Sequence, residues 1–107
     1  MSYIEIDSVD DLIAETLDMS ELERDCFFAM GSEEWTVQDL VEETGRSRSM
    51  VQRALKDLHD KGVVVREGKT DRTVYYVYRR APVTEIRDKV ESVLDEWHSE
   101  MKDLLKG

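Results

Sequence analysis

The stretch TVQDLVEETGRSRSMVQRALKDLHDKGVVVRE, residues 36–67, decides the fold. Thr36 is followed three residues later by Asp39, and this spacing is typical of a capping box that starts a helix. Gly45 comes six residues further on, and glycine readily adopts the left-handed conformation that ends a helix. The sequence therefore predicts a helix over 37–44 that is followed by a tight turn.

A second helix is predicted over 48–61, and its two faces differ in character. One face is apolar at helical spacing and is expected to pack inward: Val51, Leu55 and Leu58. The other face is polar and mostly basic: Arg48, Ser49, Gln52, Arg53 and Lys56. Residues 44–62 hold five Arg and Lys side chains together with His59.

The charge of the chain is unevenly distributed. Residues 45–80 contain ten basic and four acidic side chains, a balance of +6, whereas the rest contains five basic and 21 acidic side chains, a balance of −16. The overall net charge of −10 hides this basic region. A locally basic face on one segment is expected to meet an anionic partner such as nucleic acid.

Other elements surround these two helices. Capping patterns and apolar spacing predict helices over 9–17 and 21–30. The β-branched and aromatic runs within residues 63–79 predict a hairpin with its turn in GKTDR, residues 68–72. Pro82 then precedes a long helix that extends to Lys106. The apolar segment YIEI, residues 3–6, is expected to pack against this long helix together with Leu12, Ile13 and Leu17.

The order helix, helix, turn, helix and hairpin is that of a winged helix-turn-helix, a mostly α fold (α+β) with a small β-hairpin wing. Residues 36–67 resemble the winged helix-turn-helix of TrmB-like and MarR-like regulators of archaea and bacteria. The resemblance implies a dimeric transcription regulator. We expect a winged helix-turn-helix domain over 1–80, with an N-terminal extension over 1–19, and a dimerisation helix over 81–107.

In this fold the second helix of the motif lies in the DNA major groove. Arginine binds guanine edges and glutamine binds adenine edges, so the predicted base contacts lie on the polar face: Arg48, Ser49, Gln52 and Arg53. The predicted phosphate contacts are Thr36, Arg46, Ser47 and Lys56. The wing is expected to reach the flanking DNA through Lys69, Thr70 and Arg72.

The long helix either joins two copies of the chain or only covers the winged domain, and dimerisation is the favoured interpretation. Its apolar positions exceed what one small domain readily buries, and the predicted dimer contacts are Val90, Leu94, Trp97, Met101 and Leu104. A two-fold dimer would place two recognition helices about one DNA turn apart and would favour a pseudo-palindromic site. The partners expected are double-stranded DNA and a second copy of the chain.

Cys26 has two interpretations. As the single cysteine it could be a redox switch that alters DNA binding, through an intersubunit disulfide for example. As a small residue between Leu22 and Met30 it could instead belong to the core, where free cysteine is often found. One cysteine cannot form an internal disulfide, and the sequence has no secretory signal pattern and no long apolar run, so we expect a cytoplasmic protein.

The sequence suggests no enzyme, metal site or cofactor. His59 and His98 lack a metal-ligand spacing, and no phosphate-binding glycine loop is present. No small-molecule ligand or membrane partner is evident. The expected function is sequence-specific regulation of transcription. The alternative is a winged-helix module that binds a protein through its acidic surfaces and binds little DNA.

The acidity has two interpretations, either an ordinary solvated surface with an acidic bias or adaptation to a salty solvent, and the second is favoured. A sequence pI near 4.6, abundant Asp and more Arg than Lys resemble proteins of haloarchaea, which work in molar salt. Long-range attraction is screened within about 3 Å at 1 M salt, so a DNA-binding protein there would rely on close contacts from its basic face.

Overall fold

A computed structural model describes residues 8–106 of the chain. This part is mostly helical with one antiparallel hairpin, which confirms the predicted α+β fold class. The elements in chain order are α1 (Val9–Thr16), α2 (Glu21–Met30), α3 (Val37–Thr44), α4 (Arg48–Asp60), β1 (Val64–Asp71), β2 (Thr73–Arg80) and α5 (Val83–Lys106).

The helix boundaries follow from the caps read in the sequence. The Thr36 hydroxyl accepts from the backbone N–H of Asp39, and the Asp39 carboxylate accepts from the N–H of Thr36, which completes the capping box of α3. Gly45 has φ +70° and donates its N–H to the carbonyl of Val41, which ends α3 in the left-handed conformation. A residue with a Cβ would be strained at that φ, so glycine suits this turn.

The turn of the hairpin lies at the last residue of the predicted segment 68–72 and is shorter than that segment. Residues 68–71 belong to β1, and the strands pair as far as Asp71 opposite Thr73, so the chain reverses at Arg72. Arg72 has φ +61° at the tip. The first four residues of GKTDR continue the ladder, with Gly68 opposite Tyr76, so only its last residue forms the turn.

A short third segment widens the sheet. Trp35 exchanges both backbone hydrogen bonds with Tyr78, at 2.7 and 2.8 Å, on the side of β2 away from β1. The Trp35 indole also donates to the carbonyl of Met30 at 2.7 Å. The base of the wing is thereby fixed to the segment between α2 and α3, close to the helix-turn-helix.

The core lies between α2, α4, the base of the hairpin and the first half of α5. Val51, Leu55 and Leu58 are buried as predicted, as is Leu40 of α3. The largest fully buried side chain is Phe27, which the sequence analysis did not assign to the core. The core gives α4 a fixed inward face, which determines which side chains remain outside.

The long helix α5 joins the core only through its first half. It spans 24 residues, about 36 Å at 1.5 Å per residue, and its Ile86 and Val90 are buried in the core. α1 packs against α5, with Ile13 buried, Leu17 partly buried and Leu12 more exposed. The predicted packing of residues 3–6 lies outside the described residues. Across residues 8–106, no helix is both long and apolar enough to cross a membrane.

Candidate nucleic-acid interface

The outward face of α4 is polar and uncovered. The four predicted base-contacting side chains are exposed there: Arg48, Ser49, Gln52 and Arg53. Lys56 is also exposed on this face. Ser47 caps the helix by accepting from the backbone N–H of Met50 at 3.3 Å. α4 therefore presents a row of hydrogen-bonding groups on a rigid helix whose other face is held in the core.

Arg48 at the start of α4 leans toward α3. Its Nη1 donates to the Gln38 side-chain oxygen at 3.1 Å, and this neutral partner leaves the charge of Arg48 uncompensated. Arg53 has neither an ion pair nor a side-chain hydrogen bond within the described residues, whereas Lys56 pairs with Asp60 at 3.2 Å. The strongest uncompensated positive charge on α4 thus comes from Arg48 and Arg53.

Arg46 has a partner that the sequence did not suggest. Its Nη2 lies 2.6 Å from Asp25 and 3.8 Å from Glu21, both on α2. The hydrogen bond and charge of Asp25 raise the pKa of the Arg46 guanidinium, which is charged in any case. The predicted phosphate contact at Arg46 would therefore have to compete with an internal carboxylate.

Thr36 and Ser47 are helix caps, so their side chains already bind backbone amides. Both predicted phosphate contacts lie at helix N-termini, where remaining free N–H groups favour anions. Thr36 is partly buried and Ser47 is exposed. Phosphate binding at these two positions would use the backbone as much as the hydroxyl groups.

The predicted wing contacts differ from one another. Arg72 at the tip and Thr70 beside it are exposed. Lys69 lies 3.8 Å from Glu34 and 3.7 Å from Glu67, so acidic neighbours already surround its charge. Of these three residues, Arg72 offers the most accessible positive charge to DNA.

Sequence reasoning missed three side chains on the wing. Tyr75 and Tyr76, both about half exposed, line a cleft of about 250 Å³ between the wing and the start of α4, together with Arg48 and Gln52. The guanidinium of Arg66 lies 4.5 Å from the centre of the Tyr76 ring. The run TVYYVYRR contained the tyrosines, but the strand pattern alone did not reveal which of them would lie beside α4.

Part of the basic charge of residues 45–80 is neutralised internally. The Arg80 guanidinium donates to both carboxylate oxygens of Asp10, at 2.9 and 3.0 Å, and also to the Phe27 carbonyl. Lys61 pairs with the buried Glu23 at 2.5 Å, and Arg79 pairs with Glu67 at 2.9 Å. The net charge of the segment therefore overstates what it presents to a partner.

Cys26 lies in the core and is fully buried. Burial raises the pKa of its thiol to about 11, and the negative charge of Asp25 adds to the increase, although Arg46 opposes it. A reactive cysteine needs an accessible thiolate. The structure therefore supports the core interpretation and provides no accessible thiol for an intersubunit disulfide.

The predicted dimer contacts on α5 fall into two groups. Val90 is buried in the core of its own chain, so it is not available to a partner, and the expectation for this residue is corrected. The other four are exposed large apolar side chains: Leu94, Trp97, Met101 and Leu104. The adjacent Leu105 is exposed as well. The second half of α5 thus carries an uncovered apolar surface.

No group of three or more His, Cys, Asp or Glu in the described part of the chain is arranged to hold a metal ion. The described site consists instead of the polar face of α4, the cleft beside it and the tip of the wing.

The sequence matches known archaeal proteins. Uncharacterized protein MJ1082 of Methanocaldococcus jannaschii is 30% identical over 100 residues, which cover 92% of this chain and 83% of the relative. Uncharacterized protein MJ1503 of the same organism is 35% identical over 68 residues, 62% of this chain and 52% of the relative. Neither name states a function.

Solved structures have the same fold at low sequence identity. A protein of Methanosarcina mazei Go1, named as a possible transcriptional regulator, superposes with a TM-score of 0.79 at 20% identity over 98% of this chain and 95% of its own. The ST1889 protein of the thermoacidophilic archaeon Sulfolobus tokodaii superposes with a TM-score of 0.71 at 19% identity, over 85% of this chain and 92% of its own. These similarities show that the fold is shared along nearly the whole chain.

The family assignment comes from the sequence profile described as "Sugar-specific transcriptional regulator TrmB", which matches residues 14–84. The match runs from α1 through the helix-turn-helix and the wing to the start of α5. It confirms the resemblance to TrmB-like regulators drawn from residues 36–67. With its winged helix-turn-helix and the uncovered polar face of α4, the chain belongs to the TrmB family of transcriptional regulators.

Proposed function

We propose that the chain is a homodimeric, sequence-specific DNA-binding regulator that recognises a pseudo-palindromic duplex site. The observation that carries the proposal is the row of exposed hydrogen-bonding side chains on α4, opposite a fully buried apolar face. A helix that is rigidly held from behind and polar in front suits insertion into the major groove.

In this proposal Gln52, Arg53 and Ser49 contact base edges. Gln52 and Arg53 can each form two hydrogen bonds to one base, which gives discrimination of about 1–3 kcal/mol per contact. Arg48 leans toward Gln38 and the cleft, so it can reach either a base at the edge of the site or the adjacent phosphate. The base contacts therefore lie on the first two turns of α4.

Backbone contacts come from the surrounding elements. Lys56, Arg72 and Thr70 approach phosphates, and free amides at the starts of α3 and α4 add anion-binding groups beside Thr36 and Ser47. Lys69 contributes less because Glu34 and Glu67 lie near it. Arg46 contributes when DNA phosphate displaces Asp25.

Dimerisation uses the exposed apolar half of α5. Leu94, Trp97, Met101 and Leu104 remain uncovered on the single chain, and burying them removes apolar surface from water. Two copies would present two α4 helices to one face of the duplex. The proposal assigns no redox function, because the Cys26 thiol is buried.

The acidic remainder of the chain supports function in concentrated salt. Since screening confines electrostatic attraction to short range there, direct contacts from Arg48, Gln52 and Arg53 would supply most of the affinity and specificity. Regulation follows from occupancy of the site, which blocks or assists the transcription machinery.

The test is selection of genomic DNA fragments by the purified protein in molar KCl, followed by sequencing. We expect enrichment of a pseudo-palindrome with half-sites about 10 bp apart. The double variant Arg48→Ala/Arg53→Ala should lose the enrichment while remaining folded and dimeric. Lys102→Ala/Lys106→Ala, which removes the same charge from the end of α5, should retain it.

No enrichment by folded, dimeric wild-type protein would contradict the proposal and favour the protein-binding module. Equal loss in both double variants would assign binding to net charge rather than to α4. A monomer at the concentrations of the assay would contradict dimerisation but not DNA recognition.

A further inference from the structure

The side chain of Gln38 lies between the two helices of the helix-turn-helix. Gln38 is the second residue of α3, and Arg48 is the first residue of α4. The Gln38 Oε1 accepts a hydrogen bond from Arg48 Nη1 at 3.1 Å, and the Gln38 Nε2 donates to Glu42 Oε1 at 3.4 Å. The amide thus links a carboxylate of α3 to the first side chain of the proposed recognition helix.

The orientation of the Gln38 amide follows from the chemistry of its two neighbours. A guanidinium can only donate hydrogen bonds, and an ionised carboxylate can only accept them. The amide has one donating end and one accepting end, so only one of its two orientations satisfies both neighbours. Glu42 therefore directs the oxygen of Gln38 toward Arg48.

Arg48 keeps most of its hydrogen-bonding capacity in this contact. A guanidinium has five N–H donors, and within the described residues the only recorded hydrogen bond of the Arg48 side chain is the one to Gln38. The remaining donors include adjacent pairs that match the O6 and N7 acceptors of guanine. Gln38 is neutral, so it restricts Arg48 without cancelling its charge, unlike Asp25 beside Arg46.

Gln38 and Arg48 line the cleft of about 250 Å³ beside α4, together with Gln52. Gln52 comes four residues after Arg48, which is about 6 Å along the helix axis. Successive base pairs are about 3.4 Å apart, so Arg48 and Gln52 are expected to contact different base pairs. An effect of Gln38 on Arg48 should therefore appear at one position of the half-site and leave the position read by Gln52 unchanged.

We propose that Gln38 is a positioning residue that holds Arg48 for a contact of two hydrogen bonds with one guanine. This inference rests on the proposed function and deepens it, because it assigns Arg48 to a base rather than to a phosphate. A long side chain loses conformational freedom when it binds, and a neighbour that already restricts the side chain lowers this cost. Gln38 thus favours guanine without contacting DNA itself.

Three variants test the positioning. Arg48→Ala identifies the guanine position that depends on Arg48. Gln38→Met removes both ends of the amide but keeps the length of the side chain and a good helix-forming residue. Gln38→Glu keeps an oxygen that can accept from Arg48. Gln38 is exposed, so both of its variants should fold, and their thermal midpoints should stay close to that of the wild type.

The measurement is competition between duplexes that carry each of the four bases, one at a time, at every position of the site selected by the wild type. Arg48→Ala should lose a guanine preference at one position of each half-site. Gln38→Met should lower the preference at this same position by roughly 2- to 10-fold, which is the effect of ordering one long side chain during binding. Preferences at the other positions should not change.

Two further comparisons separate positioning from direct contact. Gln38→Glu should recover the guanine preference, although its carboxylate should lower the affinity for all sequences. A phosphate contact by Gln38 itself would give no such recovery. In addition, 7-deazaguanine, which lacks the N7 acceptor, should weaken the binding of the wild type when placed at this position and should leave the binding of Arg48→Ala unchanged.

Three results would overturn the inference while the wild type still selects its site. They are an unchanged guanine preference in Gln38→Met, a smaller preference in Gln38→Glu than in Gln38→Met, and an equal loss of affinity for all sequences in Arg48→Ala. Each of them leaves DNA recognition by the other residues of α4 in place. Selection of no site by folded, dimeric wild-type protein would instead contradict the proposed function, and this inference with it.

Discussion

The Arg46 guanidinium, in the turn before α4, lies 2.6 Å from the Asp25 carboxylate on α2. The turn of the helix-turn-helix is thus linked to the helix behind it by an ion pair that is partly open to solvent. The same contact withdraws a positive charge from the side proposed to face DNA. Arg46 therefore connects the position of the motif with the charge that the motif presents.

Replacing Asp25 with Asn should increase DNA affinity, because Arg46 no longer has a charged internal partner. In a plot of the logarithm of the binding constant against the logarithm of the salt concentration, the slope should become steeper by about 0.9, which corresponds to one added phosphate contact. Titration of fluorescent duplex DNA at several KCl concentrations measures both quantities. Glu33→Asn, which removes an exposed acid outside this ion pair, is the control. An equal gain in both variants would attribute the effect to net charge.

Gln52→Ala should reduce affinity for the selected site by about 1–3 kcal/mol, or roughly 5- to 150-fold, and leave non-specific binding nearly unchanged. Gln52 is exposed on α4, so its loss should not alter folding. Lys56→Ala should instead weaken binding to all sequences alike, since Lys56 is proposed to contact phosphate. Competition between the selected site and random duplex DNA measures the ratio of specific to non-specific affinity. An unchanged ratio for Gln52→Ala would remove this residue from the base contacts.

Tyr75→Ala should weaken binding several-fold for every sequence, because the ring lines the cleft through which a DNA strand would pass beside α4. The half-exposed side chain contributes little to the core, so the thermal midpoint should change little. Tyr75→Phe separates the ring from the hydroxyl. Val74→Ala, an exposed wing residue that does not line this cleft, is the matched control. Identical affinities for Tyr75→Ala and Val74→Ala would show that the cleft is not used.

Glu23→Gln should lower the free energy of unfolding by about 2–3 kcal/mol, because it leaves the partly buried Lys61 without its charged partner. Burial alone raises the pKa of Glu23, but the hydrogen bonds from Lys61 and Ser20 outweigh it and hold the pKa below the ordinary value of 4.5. The stabilisation is therefore present above pH 4.5 and is lost as the pH falls below it.

Urea unfolding of wild type and Glu23→Gln at pH 7 and pH 3 measures this dependence. The free energies of unfolding of the two proteins should differ less at pH 3 than at pH 7. Glu33→Gln, an exposed acid, should behave as wild type at both pH values. A difference that does not depend on pH would show that the amide disturbs packing rather than charge.

Treatment with diamide should leave the DNA affinity of the wild type unchanged, because Cys26 is buried and burial raises the pKa of its thiol to about 11. A thiol-reactive disulfide should label the native protein slowly and the urea-unfolded protein quickly. Cys26→Ala should respond to diamide as the wild type does. A loss of affinity on oxidation in the wild type alone would restore the redox switch.

The same thiol makes stability depend on alkaline pH. An ordinary thiol pKa of 9.0 in the unfolded chain and about 11 in the folded chain means that the unfolded chain loses the proton first. The free energy of unfolding should therefore fall as the pH rises from 9 to 11. Comparison with Cys26→Ala isolates this contribution from those of tyrosine and lysine.

The sequence by itself determined the elements. Local signals set the helix boundaries, since the capping box at Thr36 and Asp39 and the left-handed cap at Gly45 depend only on nearby backbone groups. Apolar periodicity determined the buried face of α4, and the exposed polar face followed from it. Residues 36–67 were therefore enough to indicate the fold and the family.

The tertiary structure decided which of these side chains remain available. Arg46 meets Asp25 and Arg80 meets Asp10 across 21 and 70 residues of sequence, and no local pattern predicts such pairs. Tyr75 and Tyr76 lie beside α4 because Trp35 pairs with Tyr78 and fixes the wing. Along α5 the apolar stripe is uniform in sequence, yet the core covers Val90 and ends before Leu94. Long-range packing, rather than residue type, determines which charges and apolar surfaces are left to bind a partner.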